Sequence, residues 1–117
     1  MRVESLREDV SVENGVVQIA FDLSGSEAGY LVISTPEIGG GAEDEFFGSD
    51  HHVEVRDQLH GRYGGLIGLT VRGLDQVEIT LLDEVPEVGS ALVIHAPNGF
   101  SEPVLKQLQT LARSSKT

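Results

Sequence analysis

The chain contains no cysteine. That excludes a disulfide framework, a thiolate zinc site and a thiol nucleophile. Basic residues are scarce: 8 Lys and Arg stand against 19 Asp and Glu, a formal net charge of −11. Such a surface repels phosphate backbones, which argues against nucleic-acid binding. No apolar run approaches the about 18 residues that a membrane span needs, so no membrane partner is expected. The opening segment, MRVESLREDVSVENG, carries acids where a targeting peptide carries basic residues. The expectation is a protein that stays in the cytoplasm, where absence of cysteine is also at home.

Catalytic signatures are missing as well. No GxSxG elbow presents a serine, and no HExxH pair presents a metal. The glycine run in residues 39–50, GGGAEDEFFGSD, is followed by acids rather than by the lysine of a phosphate cradle. It resembles one degraded copy of a calcium-binding repeat, but that motif works only by stacking copies. The segment reads as a mobile acidic loop. No cofactor and no enzymatic activity are expected.

What is present is alternation. A length of 117 residues suits one domain with a core of its own. In VVQIAFDL, the residues Val17, Ile19, Phe21 and Leu23 fall on one face, the period of a half-buried strand. GYLVIST continues with Leu31 and Ile33, and SGSEAG before it has hairpin composition. HHVEVRD points Val53 and Val55 inward and His52, Glu54 and Arg56 outward. LIGLTVR groups Ile67, Leu69 and Val71; QVEITLL groups Val77, Ile79 and Leu81; SALVIHA offers Leu92 and Ile94. RGLDQ is of turn length.

The period then changes. SEPVLKQLQTLAR places Val104, Leu105, Leu108, Leu111 and Ala112 at helical spacing. Ser101 suits an N-cap, Glu102 the positive end of the helix dipole and Pro103 the first turn. Arg113 and Lys116 suit the negative end. The predicted fold class is α+β: a mostly antiparallel sheet with an amphipathic C-terminal helix packed on one face. Leu105, Leu108 and Leu111 are expected in its core.

Two candidate sites emerge. His52 and Glu54 share a strand face, which leaves open a small-molecule or metal-binding domain, though a third ligand is not apparent. His60 and His95 occupy a turn and a strand end. The second candidate is DQLHGRYGGL. Asp57 and Gln58 suit the capping of turn backbone, and Gly61, Gly64 and Gly65 suit its unusual φ angles. Tyr63 beside Arg62 is the aromatic–arginine chemistry of protein interfaces. With the loop acids Glu43, Asp44 and Glu45, and with Glu54 and Arg56, Tyr63 makes up a candidate partner-binding set.

The run from GYLVIS through the acidic loop to HHVEVRDQLHGRYGGLIGLTV resembles the Immunity protein 10 family of bacterial polymorphic toxin systems. The matching residues are Tyr30 and Leu31, then Val53, Glu54, Val55, Asp57 and Gln58, then Tyr63, Gly64 and Gly65. VEITLLDE, LVIHAP and SEPVLKQLQTLA follow in the same order, so the resemblance covers nearly the whole chain after residue 14. The chain departs from the family's pattern in its long glycine-rich loop, residues 38–50, and in its paired His51 and His52. The resemblance implies an α+β fold and a non-enzymatic protein that neutralises a cognate toxin by binding it. It carries no established binding residues across. The acidic charge suits a basic partner, and a nuclease toxin is basic because it must hold phosphates.

Overall fold

The computed structural model describes residues 2–24, 29–36, 51–56, 61–63, 65–86 and 88–114. They form eight strands and one helix: β1 Arg2–Glu13, β2 Val16–Leu23, β3 Tyr30–Pro36, β4 His52–Val55, β5 Gly61–Tyr63, β6 Leu66–Arg72, β7 Gln76–Val85, β8 Gly89–His95 and α1 Glu102–Ser114. The strands make one curled sheet in the order β5-β4-β3-β2-β1-β8-β7-β6. β1 and β8 run parallel, and the other neighbouring pairs are antiparallel. The α+β reading therefore holds. No helix among the described residues is long and apolar enough to cross a membrane.

Alternation places the core. Val17, Ile19, Phe21 and Leu23 of β2 are buried, as are Leu31 and Ile33 of β3 and Val53 and Val55 of β4. Val77, Ile79 and Leu81 of β7 and Leu92 and Ile94 of β8 complete the inner face. Helix α1 covers this core against β6 and β1 with Val104, Leu108 and Leu111. Leu105, expected to be buried with them, is only half-buried, and Val104 takes the inner position. Before the helix, Phe100 meets Phe21 edge-to-face at 5.9 Å, an arrangement the ring quadrupoles favour.

Two departures have local causes. Ile67, expected to point inward with Leu69, is exposed instead. A bulge between Leu66 and Gly68 adds a residue to β6, and one added residue reverses the facing of the side chain it carries. The second departure is β1, which the alternation pattern did not announce. Its Val3 and Ser5 face the core; a register break between Ser5 and Arg7 then turns Leu6 out, 69 % exposed. Beyond the break Glu8 lies opposite Phe21. It does not stand unpaired there. Ser5 Oγ donates to Glu8 Oε2 at 2.6 Å, and the Ser101 N–H donates to Glu8 Oε1 at 3.2 Å. Ser101 does precede the helix, and its carbonyl accepts the Leu105 N–H. Glu8 thus ties the start of α1 to β1, and a carboxylate there suits the helix dipole.

β1 and β2 are joined by Asn14 and Gly15, with φ of 53° and 79°. Positive φ at both central residues is what a two-residue type I′ hairpin needs, and Asn-Gly supplies it most readily. A Cβ on Gly15 would meet nothing within 4 Å. Gly15→Ala is expected to cost about 1 kcal/mol from backbone strain alone, since no contact is made or lost. Urea denaturation at constant m-value measures it, and an unchanged midpoint would show that the hairpin has another way to turn.

The two ends of the sheet are drawn together by the side chains that flank β4, His51 before it and Arg56 after it. His51, 3 % exposed, accepts the Leu66 N–H on its Nε2 at 3.1 Å. Arg56 donates from Nη1 to the Pro86 carbonyl at 2.9 Å, bridging β4 to the β7–β8 turn. The curl is therefore fastened at two points between distant parts of the chain.

Candidate functional site

The motifs singled out in the sequence converge on β3 and β4. Leu31 lies opposite Val55 and Ile33 opposite Val53, so the apolar residues of both motifs face the core. Their polar residues share the outer face. There Tyr30 donates its phenolic hydrogen to Glu54 Oε2. The bond is diagonal, because Glu54 itself lies opposite Val32. Tyrosine packs its ring along the strand while its hydroxyl reaches a charged acceptor, a stronger partner than a neutral one.

Arg56 ends this face. Its φ is 72°, unusual for a residue with a side chain, and its N–H donates to the Tyr30 carbonyl at 3.0 Å. The chain leaves β4 at this residue. The guanidinium turns toward Pro86, as described, so Arg56 supports the fold as well as the surface.

The expected turn from residue 57 onward proves to hold a strand. β5 pairs with β4, with His52 opposite Tyr63 and Glu54 opposite Gly61. Gly61 therefore stands in a ladder, not at a chain reversal. Gly65 follows β5, and its carbonyl accepts the Leu82 N–H at 2.8 Å. Asp57, Gln58 and Gly64 lie outside the described residues, as do the loop acids Glu43, Asp44 and Glu45, His60 and the segment 39–50 expected to be mobile. Tyr63 is placed by its backbone alone, at the edge of the sheet.

His52 and Glu54 do share the outer face, as their spacing implies. Glu54 is held by Tyr30, and among the described residues no group of three or more His, Asp or Glu side chains could hold a metal ion. His51, which the sequence did not separate from its neighbour, is the buried one. Period two would have given its direction, since Val53 and Val55 point inward, but not its partner.

Charge on the rest of the surface is uneven. Glu4, Asp9, Glu13, Asp83, Glu84 and Glu102 are exposed. Two of the few arginines are already engaged: Arg7 pairs with Asp22 at 2.8 Å, and Arg72 with Glu78. The hydrogen bond from Arg72 holds the Glu78 carboxyl below the usual carboxylate range, and Glu78 raises Arg72 in turn. A depressed carboxyl adds stability above its unfolded pKa and loses it as pH falls through the folded value. Here that loss lies in acid, and solvent screening keeps it small. His95 stands between Asp75, 3.3 Å from Nε2, and Glu4, 3.6 Å from Nδ1. On β1, Glu4 faces His95 and Arg7 is taken up by Asp22, while Asp9 and Glu13 are exposed.

Compared with known proteins, no family model matched the chain, and neither the curated proteins nor the solved structures gave a match.

Proposed function

We propose that this protein is a non-enzymatic immunity protein that binds a cognate bacterial toxin domain in the cytoplasm and blocks it. The reading rests on the resemblance of the chain's own motifs. One observation supports it: the two separated motifs that carry the resemblance become adjacent strands, and Tyr30 of the first bonds Glu54 of the second. A feature shared by both motifs is thus a single surface rather than two unrelated pieces of core. Its polar residues, Tyr30, His52 and Glu54, are half-buried on the outer face, where a partner could reach them.

The charge supports the choice of partner. An acidic inhibitor associates fastest with a basic target, and a toxin that attacks nucleic acid is basic by need. The proposed target is therefore a nuclease domain. Glu54, Arg56, Tyr63 and the acids Glu43, Asp44 and Glu45 are the residues proposed to meet it.

Co-expression with the toxin domain encoded beside this gene is the test. Protection of the cells and a co-purifying complex are expected. Neutralising Glu43, Asp44 and Glu45 together should slow association and flatten its salt dependence. Truncating Tyr63 should mainly speed dissociation. A wild-type chain that neither protects nor binds overturns the immunity reading.

A further inference from the structure

β1 is longer than its neighbour on one side. Its 12 residues pair with β2 along most of their length, but β8 meets only Arg2, Val3 and Glu4. The reason is direction: β8 runs parallel to β1 and ends at His95, opposite Glu4. The register break at Leu6 follows, and Glu8 meets the start of the helix. From Val10 onward no strand lies on that side among the described residues.

The hairpin geometry says which groups are left open. In a two-residue hairpin the pair beside the turn, here Glu13 and Val16, exchanges both backbone hydrogen bonds. Pairs then alternate, so Val12 and Val10, opposite Val17 and Ile19, direct their N–H and C=O groups away from β2. Those groups point to the open side. Val10 is half-buried against the core, but beyond it the side chains are uncovered: Val12 is 56 % exposed, and Ser11 and Glu13 are exposed beside it. On the outer face, Asp9 lies opposite the small Ala20, next to a concavity of about 430 Å³ lined by Arg7, Glu8, Asp9, Ala20 and Asp22.

We infer that the open edge of β1, from Val10 to Glu13, is a docking site for an extended, basic segment of a partner protein, which adds a strand to the sheet. An unpaired strand edge is a template for another strand. Charge selects the occupant. A second copy of this chain would bring Asp9 and Glu13 against their own like charges, which is destabilising across strands. A strand with Lys or Arg on its outer-face positions would set them beside Asp9 and Glu13, and the concavity beside Ala20 has room for one long side chain. Its inner-face positions would cover Val12. The inference rests on the immunity reading only for the source of the strand, the toxin.

The test uses the full chain and a ten-residue synthetic peptide alternating Lys and Val, with an alternating Glu and Val peptide as its counterpart. Amide NMR shifts of Val10 to Glu13 should move saturably with the Lys peptide, less as salt rises, and not with the Glu peptide. Val12→Pro deletes an outward N–H without touching the ladder to β2. It should weaken peptide binding about ten-fold, the worth of one hydrogen bond. Should that variant lose its fold, Asp9→Asn with Glu13→Gln keeps every backbone group and should weaken binding and its salt dependence instead. Equal binding of both peptides, shifts confined to another surface, or self-association through these amides on concentration overturns the inference. The toxin arm separates the two readings. Toxin binding left intact by Val12→Pro removes this edge and leaves the immunity reading standing. Peptide engagement at this edge without any protection from toxin removes the immunity reading and retains the edge.

Discussion

Leu108→Ala is expected to lower stability by about 2–5 kcal/mol, the range for a buried leucine emptied to alanine. Leu108 is 0 % exposed at the middle of α1. The helix is amphipathic and has little reason to persist alone, since isolated helices shorter than about 12–15 residues are marginal in water. Its stability comes from laying Val104, Leu108 and Leu111 onto the inner face of the sheet. A void at Leu108 cannot be filled cheaply, because its neighbours are held by the strands below. Natural domains hold only about 5–15 kcal/mol in all, so this one side chain carries a large share. Leu105→Ala, at the half-buried neighbouring position, should cost well under half as much. Urea denaturation of both variants decides it. Equal losses at the two positions would mean that the helix packs through a different stripe.

That stripe was legible because its signal is local. Helical spacing, a capping serine and a change of period all lie within SEPVLKQLQTLAR. The inner faces of β2, β3, β4, β7 and β8 were legible for the same reason: each alternates cleanly over a few residues. Where the alternation is broken, the sequence misleads. LIGLTVR alternates on paper, yet the bulge at Ile67 reverses one side chain. β1 hides for a related reason. Its register break separates Val3 and Ser5 from Val10, and the inward position between them holds Glu8, a residue that reads as surface. A signal for β1 was present nonetheless, in the Asn14-Gly15 dipeptide that closes its hairpin.

The candidate site was legible in its members more than in its relations. The sequence marks both Tyr30 and Glu54, but the bond between them joins residues 24 apart in the chain. The sequence marks Arg56 as a surface residue, and its tie to Pro86 spans 30. The short β5 reads as part of a turn in the sequence, since the three residues Gly61, Arg62 and Tyr63 are too few to show a period. Partners that distant are set by the curl of the whole sheet, which no local window contains.

The curl itself is the second place where a large effect is expected. His51 sits where β4 begins, and Leu66 where β6 begins. One hydrogen bond, from the Leu66 N–H to His51 Nε2, joins them inside the protein. Nε2 can accept only when it carries no proton, so the ring must hold any proton on Nδ1 at this seam. His51→Phe fills nearly the same space with no acceptor. It leaves the Leu66 N–H buried and unpaired, at a cost of about 1–3 kcal/mol. His51→Ala removes the ring as well and should cost more, because a cavity is added to the lost bond. Hydrogen exchange gives the discriminating readout. The Leu66 amide should lose protection in both variants by more than the fall in global stability explains. Amides of the β1–β2 hairpin, in the middle of the strand order, should follow global stability alone. Leu66 protection that only tracks the global loss would make His51 a space-filling residue and leave the curl to apolar packing.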